Sequence, residues 1–534
     1  MHFGSNMMLS FNSTKLVSKL YELSYFGSSI ARKLPQGNLS TFNCRCFATV
    51  SPTSSFLLDK AFINGKWVEP SAGGKFPVTN PATGDVLGFA PECTEKDALS
   101  AIAAANNAFQ DWKNTSAKLR SSLIRKLYEL QLKNLNSLAE LISLEMGKPL
   151  RESKGEINYG ASFFEWFSEE TKRITGQVFP SPFPNSMTLY VREPIGPVGI
   201  ITPWNFPNAM ITRKLAAVLA CGCTAVIRPA EDTPFSALAL AKLVEEAGFP
   251  PGVVNVIPSS RDQASAIGSI LSTSPEIAAI SFTGSTNVGK ILLSSSASTV
   301  KRVCLELGGN APFIVFDSAD IDAAVQGCIA SKFRNTGQTC VSANRIFVQS
   351  GVHDKFVNAL ATEMAKSLKV GDPLDMSTTV GPLVNSKGLE KVKVHVEDAL
   401  SKGGKLIVGG KHLHGNFFEP TLISNISENM KLCSEETFGP LAAIHPFETE
   451  SQVIAAANSC RAGLAGYFYS SSIDQIWRVS KALQVGMVGV NAGIISCCEA
   501  PFGGVKESGL GREGSHLGID EFTNVKYICL GSLN

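Results

Sequence analysis

Four short segments contain side chains that could take part in covalent catalysis. Cys340 follows a predicted helix that breaks at Gly337, and a cysteine there can attack an electrophile once its thiol is ionised. Glu306 ends a predicted strand, where a carboxylate can serve as a general base. Asn205 lies in the rigid turn Pro203–Pro207, from which its amide could stabilise an oxyanion. Each signal is weak alone, because most cysteines are structural and most glutamates are solvated surface groups.

The fourth segment, Phe282–Gly289, has the pattern of a strand, a turn and the start of a helix. Its glycines, Gly284 and Gly289, lie five residues apart. Backbone N–H groups at a helix start that is reached through glycines can bind a phosphate. The spacing is not that of the GxGxxG dinucleotide fingerprint, so this segment alone is a weak indication of nucleotide binding.

The length and composition of the chain exclude several classes of protein. With 534 residues, 44% hydrophobic and 18% charged, the chain is predicted to be globular, with two or three domains. A formal net charge of +2 gives no indication of a nucleic-acid partner, and no apolar run reaches the roughly 18 to 20 residues of a membrane span. The 13 cysteines include no paired CxxC and no Cys/His cluster, which predicts no metal site and reduced thiols.

The N-terminal segment has the composition of an organelle transit peptide. Its first fifty residues contain five basic residues, one acidic residue and eight serines. The run Arg45–Ala48 resembles a matrix-peptidase cleavage site. We therefore expect residues 1–47 to direct the protein to the mitochondrial matrix. A plastid address and an extension without any address are the alternatives.

Beyond this segment, strands and amphipathic helices alternate along the chain. Short β-branched runs joined by such helices predict an α/β fold in which a parallel sheet has helices on both faces. A nucleotide would bind at the carboxyl ends of the strands. A second α/β region begins at about residue 307. Strands are predicted at residues 62–67, 76–80, 198–202, 224–228, 253–258 and 277–283. Helices are predicted at residues 97–112, 117–134, 138–146, 211–220, 235–247, 263–271, 323–333 and 354–368, and another opens at Gly289.

Taken together and in this order, the four segments resemble the aldehyde dehydrogenase superfamily. The resemblance extends from about residue 60 to the C-terminus and includes Glu436–Pro440 and Pro501–Lys506, two landmarks of that superfamily. Within it, the chain looks like the succinate-semialdehyde dehydrogenases. That narrower likeness is carried by Met210–Lys214, Lys332–Thr336 and Ser508–Gly514.

The resemblance implies an aldehyde dehydrogenase-like fold of three parts. A Rossmann-type NAD-binding domain would comprise residues 60–176 and 193–306, and an α/β catalytic domain residues 307–514. A small β-region, residues 177–192 and 515–534, would contain a hairpin and the C-terminal strand. An exposed hairpin edge can pair with another subunit, so dimers or tetramers are expected.

The resemblance also assigns catalytic roles. As thiolate, Cys340 would attack the aldehyde carbon, and the Asn205 amide with the Cys340 N–H would hold the oxyanion. Transfer of hydride to the cofactor would leave a thioester on the cysteine. Glu306 would then activate the water that releases the acid.

For the cofactor, the resemblance implies NAD. The carboxylate of Glu231 would accept from free ribose hydroxyls and repel a 2′-phosphate, which favours NAD over NADP. Arg228 stands where the family usually has lysine, and its planar cation could tolerate a phosphate better. The positions that match cofactor contacts are Thr202, Trp204, Arg228, Glu231, Gly284, Ser285, Gly289, Glu436 and Phe438.

Substrate choice is implied by Arg213, Arg334 and Ser496, which match positions that bind a remote carboxylate. A guanidinium group offers a fork of donors that fits a carboxylate, although either arginine alone could form a structural salt bridge instead. The expected reaction is oxidation of succinic semialdehyde to succinate, the last step of GABA breakdown. Glutarate semialdehyde is an open alternative, because one methylene gives only modest discrimination.

The chain departs from the family pattern near the nucleophile and at the substrate entrance. Ser342 stands where some relatives carry a second cysteine that forms a redox-sensitive disulfide, so we expect no such switch here. Ala492 replaces an acidic residue found in many relatives, and Cys497 and Cys498 follow in the same loop. An effect of these residues on substrate affinity is expected, without a predicted sign.

Two other classes of function compete with a dehydrogenase. A cofactor-independent thiol hydrolase would also use Cys340, but it normally needs a histidine base, and none of the seven histidines has a characteristic placement. A non-catalytic relative is disfavoured by the joint presence of Cys340, Glu306 and Asn205. Activity without nicotinamide would indicate the hydrolase, and no activity on any aldehyde would indicate the non-catalytic relative.

Overall fold

The computed structural model of the chain describes residues 52–532, so the predicted transit peptide, residues 1–47, lies outside the described part. The helices are α1 (Glu95–Trp112), α2 (Ala117–Lys133), α3 (Leu135–Met146), α4 (Leu150–Glu170), α5 (Ala209–Cys221), α6 (Pro234–Ala247), α7 (Arg261–Thr273), α8 (Thr286–Ser296), α9 (Ile321–Lys332), α10 (His353–Ser367), α11 (Ser386–Ser401), α12 (Lys431–Ser434), α13 (Glu450–Asn458) and α14 (Ile473–Ala482). The strands are β1 (Ala61–Ile63), β2 (Lys66–Val68), β3 (Lys75–Thr79), β4 (Val86–Pro91), β5 (Gln177–Phe179), β6 (Met187–Pro194), β7 (Val198–Ile201), β8 (Ala225–Arg228), β9 (Val254–Val256), β10 (Ala279–Thr283), β11 (Arg302–Glu306), β12 (Ala311–Val315), β13 (Ala343–Gln349), β14 (Lys405–Val408), β15 (Thr421–Ser424), β16 (Leu441–Phe447), β17 (Ala462–Gly463), β18 (Ala465–Tyr469), β19 (Met487–Val490), β20 (Val505–Lys506), β21 (Gly509–Leu510) and β22 (Thr523–Leu530).

The first large sheet has eight strands in the order β2-β1-β9-β8-β7-β10-β11-β21. Its five central strands, β9 to β11, are parallel, and β1 and β21 pair antiparallel beside them. Alternate residues enter separate hydrophobic cores: in β8, Ala225 and Ile227 pack in one core and Val226 in the other. Burial on both faces explains why these strands are almost wholly apolar. It confirms the predicted α/β class and brings the carboxyl ends of β7, β8, β10 and β11 to one edge.

The second large sheet has seven strands in the order β14-β15-β16-β13-β12-β18-β19. All of its strand pairs are parallel except β14 with β15. Its central strand, β13, begins three residues after Cys340. The strand β21 lies in the predicted catalytic domain but pairs with β11 of the first sheet. The predicted domain boundaries themselves stay a prediction.

A three-stranded antiparallel sheet, β22-β6-β5, contains the predicted hairpin and the C-terminal strand. β22 pairs with β6 over eight residues, from Thr523 opposite Pro194 to Leu530 opposite Met187. Its other edge is exposed, and the Tyr527 side chain on it is 56% exposed. That this sheet joins subunits stays a prediction.

Each predicted helix is present, and its ends differ from the prediction by at most three residues. The single strand predicted at residues 62–67 is wrong: β1 and β2 form a hairpin there, because Asn64 and Gly65 have positive φ angles of 52° and 70°. Helix α4 was not predicted, since its sequence includes charged residues and two glycines. One of them, Gly160, is required by close packing: a Cβ there would lie 2.4 Å from the Asn208 side-chain oxygen.

Within residues 52–532, no helix combines the length and apolar character that a bilayer span requires. The same residues contain no group of three or more His, Cys, Asp or Glu side chains placed to hold one metal ion. The described cysteines are all free thiols, as nucleophilic chemistry requires.

Candidate active site

The predicted catalytic residues lie in loops that are joined by hydrogen bonds. Asn205, in the loop after β7, donates from Nδ2 to the carbonyl oxygen of Gln338 at 3.1 Å, two residues before Cys340. Gly284, after β10, donates its N–H to the carbonyl oxygen of Glu306 at 3.0 Å. The Glu306 carboxyl is close enough to Cys340 to raise the pKa of the thiol. The structure therefore brings all three predicted catalytic residues into one site.

The loop before Cys340 has a strained backbone that is held by hydrogen bonds. Helix α9 ends at Lys332, earlier than the predicted break at Gly337, because Asn335 and Thr336 have positive φ angles of 52° and 56°. A left-handed conformation is costly for a β-branched residue such as threonine. The Thr336 hydroxyl donates to the Gly381 carbonyl oxygen (3.2 Å) and accepts from the Gly381 N–H (3.0 Å). These bonds hold the loop in the shape that presents Cys340.

The Cys340 thiol is half-buried, and charges around it act in opposite directions. Burial raises its pKa to about 12. The guanidinium groups of Arg213 and Arg334 lower the pKa, whereas the carboxyls of Glu436 and Glu306 raise it. The thiolate that attacks an aldehyde is therefore favoured by the arginines and opposed by the carboxyls.

The backbone of Asn205 is anchored by a buried ion pair. Its carbonyl oxygen accepts from the Lys148 ammonium at 2.8 Å and from Asn335 Nδ2 at 3.0 Å. Lys148 also pairs with Glu156, whose second oxygen accepts from backbone N–H groups at the start of α5. These contacts fix the Asn205 amide beside the loop of residues 333–342, called the cysteine loop because it contains Cys340. An oxyanion donor must lie at this position.

Glu306 ends β11 and is 2% exposed. Neither of its carboxyl oxygens has a hydrogen-bond partner among residues 52–532. Burial raises its pKa well above the ordinary value, and the nearby Glu513 carboxylate adds to the rise, while Arg213 and Lys214 oppose it. A buried carboxyl without fixed partners can accept a proton from water near neutral pH, as a general base must.

The predicted substrate residues line one cavity with Cys340. It has a volume of about 390 Å³. Arg213, Arg334 and Ser496 all contribute to its wall, as predicted from the sequence. The remaining lining residues are Pro149, Arg151, Glu152, Gly155, Glu156, Tyr159, Phe206, Met210, Thr339, Val341, Thr378, Thr379 and Phe502. The structure thus places two guanidinium groups in the same chamber as the thiol.

The two arginines of the cavity are held differently. Arg213 is 2% exposed, forms an ion pair with Glu513 through Nε, and lies 4.0 Å from the Phe502 ring centroid. Glu513 pairs with Lys214 as well, and both cations help to lower its pKa. Arg334 has no ion pair within the described residues; its guanidinium carbon lies 5.5 Å from the Phe206 ring centroid.

On the predicted cofactor side, Arg228 and Glu231 form an ion pair at the end of β8. Arg228 Nη2 lies 3.1 Å from the Glu231 carboxylate, and Arg228 Nε donates to the Ser259 hydroxyl at 3.1 Å. Arg228 is therefore already bonded to protein groups rather than free for a phosphate. Glu231 lines a second cavity of about 270 Å³. The other residues of that cavity are Phe76, Pro77, Val78, Thr79, Glu145, Asp232, Ser260, Arg261 and Val384.

The segment from β10 to α8 has the predicted strand, turn and helix. Ser285 caps α8, and its hydroxyl accepts from the Val288 N–H at 3.4 Å. Gly289 is in the first turn of α8, where a Cβ would lie 2.4 Å from a Leu307 methyl carbon. The lack of a side chain lets the helix start approach the end of the neighbouring strand. Gly284 and Gly289 are therefore required by close packing against Phe282 and Leu307.

The remaining predicted cofactor residues lie around the cysteine loop. The Trp204 and Phe438 rings pack edge to face with centroids 5.6 Å apart. Glu436 accepts from the Gly309 N–H at 3.1 Å, and burial raises its pKa to about 7. The Thr202 hydroxyl is buried and has no hydrogen-bond partner in the described part of the chain. These groups leave polar atoms free for a ligand.

The departures from the family pattern have defined surroundings. Ser342 is buried and its hydroxyl donates to the carbonyl oxygen of Lys332 at 3.3 Å. Cys498 is buried and Cys497 exposed, directly after Ser496 of the cavity wall. Ala492 is half-buried.

Sequence reasoning missed the charged residues that position the site. Lys148 and Glu156 support Asn205, and Glu513 joins Lys214 to Arg213. Lys214 and Glu513 are 299 residues apart in the chain, so no local pattern could indicate their pairing. The one available signal was charged residues inside otherwise apolar helical stretches, where a buried charge needs a partner.

Comparison with known proteins gives consistent matches over this whole region. The model of the aldehyde dehydrogenase family matches residues 67–528, which include every candidate residue named above. Human mitochondrial succinate-semialdehyde dehydrogenase is 54% identical over 493 residues, covering 92% of this chain and 92% of the relative. Glutarate-semialdehyde dehydrogenase of Pseudomonas putida is 50% identical over 471 residues, covering 88% of this chain and 97% of the relative. A crystal structure of an NADP-dependent enzyme from E. coli has a TM-score of 0.88 at 50% identity, covering 90% of this chain and 99% of that chain.

Proposed function

The chain belongs to the aldehyde dehydrogenase family, and from that premise we propose that it oxidises succinic semialdehyde to succinate with NAD. The observation that best supports this proposal is the cavity in which Cys340 faces Arg213 and Arg334. A thiol beside two guanidinium groups fits a small molecule with an aldehyde at one end and a carboxylate at the other.

The first chemical step forms a bond between sulfur and carbon. The Cys340 thiol loses its proton to solvent, and the thiolate attacks the aldehyde carbon to give a thiohemiacetal oxyanion. The Asn205 amide, fixed beside the cysteine loop, donates to that oxygen together with the Cys340 N–H. Removing one such donor typically lowers the rate by about 10²-fold or more.

The last step releases the acid and restores the enzyme. A water molecule attacks the thioester carbon while one of its protons passes to the Glu306 carboxylate. The carbon–sulfur bond then breaks, which returns Cys340 to the thiolate form and leaves a carboxylic acid. Glu306 suits this role because burial raises its pKa and no fixed partner occupies its oxygens within residues 52–532.

A nicotinamide cofactor fits the free polar groups around the cysteine loop. The unpartnered Thr202 hydroxyl, the Trp204 and Phe438 rings and the Glu436 carboxyl would hold its nicotinamide half. The backbone N–H groups at the start of α8, near Gly284, Ser285 and Gly289, would bind the pyrophosphate. When bound, the nicotinamide would supply the hydride acceptor that oxidation of the thiohemiacetal carbon to the thioester requires.

The preference for NAD rests on the ion pair at the end of β8. The Glu231 carboxylate can accept hydrogen bonds from free ribose hydroxyls. Arg228 is bonded to Glu231 and Ser259, so it is not free to bind a phosphate. NADP would bring a second anion next to the Glu231 carboxylate. The E. coli relative is described as NADP-dependent, so this preference is a proposal about the present chain.

The choice of succinic semialdehyde follows from the cavity and from the relatives. Both relatives are named for semialdehydes that carry a remote carboxylate. The human enzyme, at 54% identity, is named for the four-carbon substrate and is also named mitochondrial.

We therefore place this protein in the mitochondrial matrix, with residues 1–47 as its transit peptide. Assembly into dimers or tetramers through the β22-β6-β5 sheet is part of the same proposal.

Formation of reduced cofactor, followed at 340 nm, tests the proposal. The purified chain is given succinic semialdehyde, glutarate semialdehyde or butanal, each with NAD or with NADP. The highest kcat/KM is expected for succinic semialdehyde with NAD. Equal kcat/KM for butanal would reject the carboxylate clamp but leave an aldehyde dehydrogenase, and a higher value for glutarate semialdehyde would change the substrate.

The same assay distinguishes the other classes of function. Hydrolysis of a thioester or ester at an equal rate with and without nicotinamide, together with no reduced cofactor, would indicate a thiol hydrolase that uses Cys340. No reaction of any aldehyde with either cofactor would indicate a non-catalytic relative.

A further inference from the structure

A phenolic hydroxyl in the substrate cavity has no assigned role. Tyr159, on α4, lines the cavity together with Cys340, Arg213 and Arg334. Its hydroxyl oxygen is buried and has no hydrogen-bond partner within the described residues. A buried hydroxyl without a partner is unfavourable, because it has given up its hydrogen bonds to water. The atom is therefore expected to find its partner in a bound molecule.

The position of the hydroxyl is fixed by packing on both sides. The Tyr159 ring lies edge to face against Phe163, with centroids 5.0 Å apart and an interplanar angle of 77°. Arg213, next to the hydroxyl, is itself held by Glu513. Burial raises the pKa of Tyr159, so the phenol keeps its proton and can donate it in a hydrogen bond.

The cations around this hydroxyl are donors and cannot accept its hydrogen. The guanidinium groups of Arg213 and Arg334 can only donate. Because Arg213 stands beside the Tyr159 oxygen, it attracts the lone pairs of that oxygen and leaves the hydrogen to point elsewhere. A ligand in this corner of the cavity must therefore bring the acceptor.

The two carboxyls in the cavity wall are already occupied. Glu152 accepts from the Asn335 N–H at 2.6 Å. Glu156 pairs with Lys148 and accepts from the first N–H groups of α5. Neither carboxyl forms a hydrogen bond with the Tyr159 hydroxyl, so an anionic oxygen of the substrate can supply the acceptor.

We propose that the Tyr159 hydroxyl donates a third hydrogen bond to the substrate carboxylate, beside Arg213 and Arg334, and so helps to select acid semialdehydes over uncharged aldehydes. This inference rests on the proposed function. A carboxylate has about four lone-pair sites, enough for two guanidinium groups and one phenol. Three donors fixed on separate elements also define where the carboxylate must lie, and hence how far away the aldehyde reaches Cys340.

The substitution Tyr159→Phe tests this role, because it removes one oxygen atom and keeps the ring on Phe163. The full chain is assayed with saturating NAD, using succinic semialdehyde and butanal. The KM for succinic semialdehyde is expected to rise about tenfold, the usual effect of losing one hydrogen bond to a charged group. Its kcat and both constants for butanal are expected to stay within twofold. Tyr128→Phe, on α2 outside the cavity, is the matched control and should change neither substrate.

Other outcomes would overturn the assignment. An equal loss on both substrates would make Tyr159 a packing residue only, and no change on either would leave its hydroxyl without a role. The ratio of kcat/KM for succinic semialdehyde to kcat/KM for butanal, measured in one preparation, is independent of how much of the enzyme has folded. If the unmodified chain does not prefer succinic semialdehyde to butanal, the proposed function fails first, and the variant is not needed to show it.

Discussion

Cys340 shares a cavity wall with the guanidinium groups of Arg213 and Arg334, whereas the Glu436 carboxyl acts on it from the side proposed for the cofactor. Arg213 and Arg334 are donors only, and they suit a ligand that ends in a carboxylate. Glu436 is an acceptor once ionised and suits a ligand rich in hydroxyl groups. The two sides therefore select ligands of opposite hydrogen-bonding character while sharing one thiol between them.

The difference also bears on the reactivity of the thiol. The arginines lower the pKa of Cys340, and the carboxyls of Glu436 and Glu306 raise it. A charged side chain that binds a ligand therefore also changes the pKa of the Cys340 thiol. The two functions are separable only by substitutions that change one charge at a time on one side.

The proposed role of Glu306 is to activate the water that hydrolyses the thioester. Every turnover requires this step, so the loss of Glu306 should have the largest effect. In Glu306→Gln, kcat is expected to fall by roughly 10³-fold, because no carboxylate remains to take the proton of water. The first turnover still forms the thioester, so rapid mixing should show a burst of about one reduced cofactor per subunit. Absence of a burst with the same loss of kcat would place Glu306 before the thioester instead.

The two arginines should separate binding from stability. In Arg334→Gln, kcat/KM for succinic semialdehyde should fall about 10²-fold more than kcat/KM for butanal, because a charge-assisted hydrogen bond to the substrate carboxylate is lost. A small loss common to both aldehydes is expected as well, because Arg334 lowers the pKa of Cys340. Arg213→Gln should lose as much specificity and, in addition, about 3 kcal/mol of stability, because Glu513 keeps only Lys214 as a buried partner.

Kinetics with both aldehydes and urea denaturation of each variant test this prediction. Arg461→Gln, which removes an exposed arginine from its ion pair with Glu507, is the control and should change neither property. Equal denaturation midpoints for the Arg213 and Arg334 variants would show that the Glu513 pair contributes nothing to stability.

Much of this arrangement could be predicted from the sequence, because its signals are local. Buried parallel strands are short apolar runs, and β8 and β10 were predicted within two residues at each end. The turns after β7, β10 and β11 carry polar residues at the positions where such sheets place their ligands. Asn205 and Glu306 were selected in this way and Cys340 from the helix break before it, with the family resemblance assigning their roles.

What could not be predicted depends on contacts between distant segments. The end of α9 was predicted within one residue, but the turn expected at Gly337 begins earlier, because the left-handed conformation of Thr336 is stabilised by Gly381, 45 residues further on. The Arg213 side chain was assigned to a ligand without its Glu513 partner. Tyr159 received no role, because a hydroxyl without a partner is visible only once the cavity around it is known.

The opposing effects on the thiol predict shifts of opposite sign in its titration. The rate of Cys340 alkylation by iodoacetamide, measured against pH in the free enzyme, reports the fraction of thiolate. Arg334→Gln removes a cation and should move the curve to higher pH, and Glu436→Gln should move it to lower pH. Glu436 has a pKa of about 7, so it is charged in the alkaline range and its removal lowers the pKa of the thiol.

Shifts of up to about one pH unit are expected for charges that do not touch the sulfur. Mass spectrometry of the alkylated peptide identifies Cys340 among the other thiols. Shifts in the same direction for both variants would mean that the two sides do not act on the thiol through charge.

The smallest effect is expected at the ion pair of Arg228 and Glu231, which we propose favours NAD over NADP. In Glu231→Gln the carboxylate that faces the ribose is lost, and Arg228 keeps only its bonds to Ser259 and the Ser260 carbonyl oxygen. The ratio of kcat/KM for NADP to that for NAD should rise by about tenfold, since one repulsion is removed and one cation is released.

Arg228→Lys, which keeps the cation beside Glu231, should shift the ratio by less than twofold. A larger shift in the lysine variant than in Glu231→Gln would assign the preference to the shape of the guanidinium group rather than to the carboxylate. Both variants should keep the same preference for succinic semialdehyde over butanal. In the described chain, no residue that lines the cavity with Cys340 contacts the Arg228–Glu231 ion pair.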